Sequence, residues 1–187
     1  MIQTIGLAIA FSPTAESLLA EAESLVRQFH ARLILIHIGD HGPTEDQQMQ
    51  ALIAGRGLSN DKVKVCWGKG DPATAILRAC EEEKVDLLIA GALRKENLLH
   101  YYLGTIARNI MRRSTCSVLL LTEPSTEPKG FGHIVVDAED SPGVKTSIAW
   151  ACRFAKKENN SWLHVVRELQ MFGLAMSSAD QIGRAHV

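Results

Sequence analysis

The sequence predicts an α/β fold in which short buried parallel strands alternate with amphipathic helices. Three observations carry that expectation. Apolar runs of five to seven residues recur at 4–10, 33–38, 85–90 and 117–121, without the alternation of a half-wet sheet. Ser12-Pro13, Asp71-Pro72 and Ser141-Pro142 each place a good N-cap before a proline, whose missing N–H costs a helix start nothing. The joins between the periodic segments are short, as strand–helix–strand units with right-handed crossovers require.

Taken in order, residues 4–10 form the first strand, and Ser12-Pro13 opens the first helix. Leu18, Leu19, Ala22, Leu25, Val26 and Phe29 fall at steps of three and four, one apolar face with glutamates opposite. Residues 33–38 are the second strand. After a break at 39–43, Thr44 to Ala54 reads as a weaker helix closed by Gly55 and Gly57. Residues 63–67 are shorter and partly alternating, which suits a sheet edge. Asp71-Pro72 opens a helix through Ile76, Leu77 and Cys80 to Lys84. A strand at 85–90, a loop at 92–103, a helix near 105–113 and a strand at 117–121 complete five strands and four helices.

Residues 123–131, with two prolines, a glycine and mostly polar neighbours, read as a linker. The pattern then restarts: residues 134–137 resemble the first strand, Ser141-Pro142 opens a helix carrying Ile148, Ala151, Cys152 and Ala155, and residues 162–166 resemble 35–38. Ala10 to Asp137 spans the same distance as His37 to His164, which argues for an internal repeat. The expected layout is a domain at 1–122, the linker, and the truncated start of a second domain at 132–181. Residues 182–187 resemble the translation of a sequencing adapter and are expected to be non-native.

With 46% hydrophobic residues, the chain can build a sizeable core. Its net charge of -1, with no basic stripe between aromatics, argues against nucleic acid. Cys66, Cys80, Cys116 and Cys152 show no CxxC pair or metal spacing, so reduced, mostly buried thiols in a cytoplasmic protein are expected. No run is long enough for a transmembrane helix, and no signal peptide is read. His37 and His164, at strand ends without carboxylate or cysteine partners at useful spacing, read as hydrogen-bonded histidines rather than catalytic ones. No P-loop spacing surrounds Lys69-Gly70, and no nucleophile set is arranged for attack.

Gly70-Asp71-Pro72, the run from Val85 to Gly91, and Gly104-Thr105 closing a long loop together resemble the universal stress protein family. The resemblance covers 2–122 in full and 132–167 as the start of a second such domain. It implies a doubly wound five-stranded parallel sheet of order 3-2-1-4-5, like the adenine nucleotide alpha hydrolases. The ligand crevice would lie between the carboxyl ends of strands 1 and 4. Nucleotide-binding members carry a glycine, two residues, a glycine, nine residues, then glycine and a hydroxyl residue. Gly91, Gly104 and Thr105 match, whereas Arg94 stands in place of the second glycine. Arginine crowds a phosphate cradle but brings a guanidinium that binds phosphate well.

Binding members also carry an aspartate ending strand 1; here Ala10 stands there, followed by Phe11. The resemblance thus implies a degenerate adenine nucleotide site at Gly91, Arg94, Gly104, Thr105 and Ile38, with Asp137 the acid in the second domain. ATP with Mg²⁺ is the implied ligand if the site works. The expected function is non-catalytic stress regulation by association, with itself or another such domain, through the last strand. Pyrophosphatase-type relatives use a serine- and glycine-rich loop after strand 1. Phe11-Ser12-Pro13-Thr14 is not one, so a hydrolase or transferase is the weaker expectation.

Overall fold

The computed structural model describes residues 2–56, 62–92, 104–139, 141–158 and 161–167. Two units divide the chain at Lys129/Gly130. The first contains β1 (Thr4–Ala8), α1 (Ala15–Phe29), β2 (Arg32–Ile38), α2 (Pro43–Ala54), β3 (Val63–Gly68), α3 (Pro72–Glu82), β4 (Leu87–Gly91), α4 (Thr105–Arg113) and β5 (Ser117–Leu121). Its strands form one all-parallel sheet of order β3-β2-β1-β4-β5. The fold class is therefore the doubly wound α/β sheet predicted.

The element types follow the sequence closely, and the departures have local causes. The Asp71 carboxylate accepts from the Thr74 backbone N–H at 3.0 Å and from its hydroxyl at 2.6 Å, so α3 starts as expected. Ser12 does not cap α1. Its carbonyl accepts from the Ala15 N–H at 3.0 Å in a turn, and the helix begins after Thr14. At the other end of α3, Lys84 adopts φ 52° and the Val85 N–H reaches back to the Cys80 carbonyl at 2.9 Å. That closing turn ends the helix at Glu82 rather than Lys84.

The core lies on both faces of the sheet. Leu18, Leu19, Ala22, Leu25 and Val26 of α1 are buried as periodicity predicts. Glu23 is buried among them rather than on the open face, with Arg27 reaching it at 3.1 Å. On the α3 side, Ile34, Ile36, Ile76, Leu77, Cys80, Leu88 and Ile110 form one cluster. Asp86 joins the amino ends of two strands, accepting from Gln3 N–H at 2.8 Å and Thr4 N–H at 3.0 Å. These bonds make that end of the sheet a structural clasp.

The second unit contains β6 (His133–Asp137), α5 (Val144–Lys157) and β7 (Trp162–Val166), with β6 and β7 parallel. It repeats the first unit's opening turn as well as its elements. Ser141 is again a turn residue, its carbonyl accepting from Val144 N–H at 3.1 Å. Ser12 to Ser141 and Ala15 to Val144 are both 129 residues apart. The turn and helix start therefore repeat at a different offset from the one inferred through Asp137. Glu139, not Asp137, matches Ala10 in this alignment, and Asp137 matches Ala8. The Asp137 carboxylate accepts from the Glu139 backbone N–H at 2.9 Å.

Candidate functional site

β1 and β4 are neighbours at the centre of the sheet, and their connections leave in opposite directions. Such a switch point opens a crevice at the carboxyl ends of the strands. Gly91 ends β4, and Gly104 precedes α4, which runs back from that same end toward the start of β5. Gly91 and Gly104-Thr105 are thus brought to one end of the sheet. Gly104 has no side chain to cap α4. The amide-rich, dipole-positive start of α4 faces this end of the fold.

Gly91 also has a plainer reason to be there. A Cβ on Gly91 would meet Leu18 Cδ1 at 3.1 Å, so a larger residue requires the Leu18 side chain of α1 to shift. Gly104 has φ -58° and needs no left-handed conformation. Ile38 pairs with Gly68, and a Cβ on Gly68 would lie 2.6 Å from Ile38 Cδ1. Ile38 is thus a packing residue against the α3-side core. Arg94 lies outside the described residues.

On the other wall, the strand ends carry aromatic rings. Ala10 is exposed, and Phe11 beside it is 38% exposed. The Phe11 ring lies 4.6 Å from that of buried His37, which meets the Trp67 ring at 5.1 Å with the planes 68° apart. His41 stacks on Trp67 at 4.5 Å and reaches Asp46 through Nε2 at 3.0 Å. His37 Nδ1 lies 3.0 Å from the Ile9 carbonyl. A carbonyl only accepts, so Nδ1 carries the proton. His37 is the hydrogen-bonded strand-end histidine expected. The aromatic cluster was not anticipated, although the alignment of Phe11, His37 and Trp67 at three adjacent strand ends was its signal.

A conserved-domain model for the universal stress protein family matches residues 1–122. The chain belongs to the universal stress protein family. A universal stress protein of Methanocaldococcus jannaschii is 32% identical over 59 residues, 32% of this chain and 35% of that protein. The chain therefore aligns with about a third of that curated relative. A solved universal stress protein in complex with cAMP superposes at TM-score 0.53 with 21% identity, covering 64% of this chain and 96% of the other. One from Archaeoglobus fulgidus gives TM-score 0.54 with 26% identity, covering 66% of this chain and 45% of that one. A putative one from Pseudomonas aeruginosa gives 0.70 with 16% identity, covering 89% and 61%. An alignment of that length runs past the first unit.

All four cysteines are free, but only Cys80 is buried and the other three are half-buried, so "mostly buried" was too strong. Among the described residues, no His, Cys, Asp and Glu side chains group as a metal site. No described helix is long and apolar enough to cross a membrane.

Proposed function

We propose that this universal stress protein is a non-catalytic, cytoplasmic regulator that acts by association, and that its first-domain nucleotide site is degenerate. The observation that carries the reading is β5. Among the described residues it is the terminal strand of its sheet and pairs only with β4, and its Ser-Val-Leu-Leu-Leu run is half-buried throughout. An apolar edge of this kind is a template for another strand, from a second copy or a further domain of the family. The crevice supports the second half of the reading. Ala10 offers an adenosine no carboxylate, and the Nδ1 proton of His37 is already given to Ile9. Gly91 lies against Leu18, whose side chain a Cβ would meet at 3.1 Å.

Sedimentation velocity of the full chain tests association. Self-association that is lost in the Leu119→Lys/Leu121→Lys variant is expected; a strict monomer at every concentration overturns it. Titration with ATP and Mg²⁺ by calorimetry tests the site, and no saturation in the micromolar range is expected.

A nucleotide sensor is the second reading. It is supported by the exposed Phe11 ring beside the crevice and by the cAMP complex of a solved relative. In that reading Phe11 stacks on the base, the start of α4 receives phosphate, and the Arg94 guanidinium adds charge. Saturable micromolar binding that disappears in Gly104→Asp would establish the sensor over association alone.

A further inference from the structure

At the amino ends of β4 and β5, the opposite end of the sheet from the crevice, an open cavity of about 450 Å³ is lined by two thiols. Cys80 comes from α3 and Cys116 from the turn before β5. Glu81, Lys84 and Asp86 are the charged side chains on the same walls. Cys80 is buried, while Cys116 is partly exposed.

Cys116 packs against the buried cluster that holds Cys80, and both residues line the one cavity. The Cys116 N–H donates to Ser114 Oγ at 3.2 Å. The Ser114 hydroxyl lies 3.3 Å from the sulfur and 2.9 Å from the Cys116 carbonyl, and its single proton serves one at a time. We propose that Cys80 and Cys116 are a hydroperoxide-responsive pair, with Cys116 the attacking thiolate and Cys80 the thiol that closes a reversible disulfide. The proposal is independent of whether a nucleotide binds.

The electrostatics agree with that division. The Cys80 hydrogen bond lowers the Cys116 thiol to about 6 against the opposing effect of burial. Cys80 moves the other way, chiefly because it gives that bond and is buried. In the first step the Cys116 thiolate attacks the terminal peroxide oxygen, and the O–O bond breaks. The sulfur is oxidised to a sulfenic acid, and the peroxide is reduced to an alcohol or water that takes up one proton. The charge that held Cys80 protonated is then gone. Cys80 sulfur attacks the Cys116 sulfur, an S–S bond replaces S–O, and hydroxide leaves with the Cys80 proton as water. The bond would tie α3 to the entrance of β5 across β4 and α4.

The test is a tryptic map of the full native chain after treatment with hydrogen peroxide and thiol blocking. The expected product joins peptides 79–84 and 114–129, is lighter by two hydrogens, and separates on thiol reduction. In Cys80→Ser, a dimedone adduct is expected on Cys116; in Cys116→Ser, Cys80 stays reduced. At pH 7 Cys116 should alkylate roughly tenfold or more faster than Cys66, whose thiol burial pushes up. A bridge through Cys66 or Cys152, an inert Cys116, or equal oxidation of all four thiols overturns the proposal. If a variant fails to fold, the native map and the alkylation ratio decide it.

Discussion

Leu35 in β2 and Val165 in β7 occupy matching places in two strand–helix–strand units. Arg32 N–H bonds the Gln3 carbonyl and Trp162 N–H bonds the Gly132 carbonyl, both at 2.9 Å, and each residue lies three further on. Yet Leu35 is wholly buried and Val165 is 59% exposed. The two units share a Ser-Pro turn, a helix start and a parallel strand pair. They differ in what lies beside them. β1 is flanked by β2 and β4, whereas β6 pairs only with β7 among the described residues. Local sequence is enough to specify the strand–helix–strand unit. Burial needs the neighbouring strands and helices as well.

The sharpest way to break that contrast is truncation at the matched pair. Leu35→Ala should cost about 2–5 kcal/mol through lost transfer energy and the cavity left behind. Val165→Ala should stay within about 0.5 kcal/mol, as exposed positions do. Urea unfolding followed by circular dichroism measures both. Similar losses would show that β7 has a partner surface in solution.

The two histidines that the sequence equates offer the next contrast. His37 is buried and donates to Ile9, while His164 is exposed and, among the described residues, meets the ring of His133, nitrogen to nitrogen at 3.5 Å. Opposite Val135, His164 holds the place that Ile34 holds opposite Gly6, not that of His37. His37→Leu strands a buried carbonyl and should cost about 1–3 kcal/mol. His164→Leu should change stability by about 0.5 kcal/mol or less. An equal cost would mean that His164 meets a partner surface in solution.

Most of the fold was legible because it is written in local patterns. The face of α1, the cap of α3 and the apolar run of β5 each rest on neighbouring residues, and all three were found. Ser12 and Ser141 were misread for a common reason. A serine before proline suits either a cap or a turn, and here the chain turns before the helix begins. The repeat offset through Asp137 failed because matching two residue types ignores the backbone turn between them. The site was less legible. Gly91 looks like a phosphate glycine from spacing alone, and only the position of Leu18 reveals its packing role. The aromatic wall of Phe11, His37 and Trp67, and the Cys80–Cys116 pair, join residues far apart in the chain.

Glycines carry a smaller effect on the same contrast. Gly91→Ala forces a methyl against buried Leu18 and should cost about 1 kcal/mol without any ligand present. Gly132→Ala meets nothing within 4 Å, so close to no change is expected. Thermal unfolding in nucleotide-free buffer separates them. If Gly91→Ala is silent there yet abolishes a measured nucleotide affinity, the glycine serves the ligand rather than α1.

The smallest effect concerns the helix starts. Asp71 is a charged cap, and its hydrogen bonds from the Thr74 hydroxyl and N–H hold its carboxyl below the ordinary 3.8. Arg113 donates to the same Thr74 hydroxyl oxygen at 3.1 Å, linking α4 to this cap. A depressed folded-state value stabilises the fold fully above the unfolded value, and the gain is lost as pH falls through the lower folded value. Asp71→Ala should therefore lower Tm at neutral pH, with the gap to the unsubstituted chain narrowing below about pH 3.8. Ser12→Ala and Ser141→Ala, which remove turn hydroxyls rather than caps, should show smaller Tm losses with no such narrowing. A loss for either serine as large as that for Asp71 would mean that the Ser-Pro step caps its helix in solution. The helix starts of the two units would then obey the rule that α3 obeys.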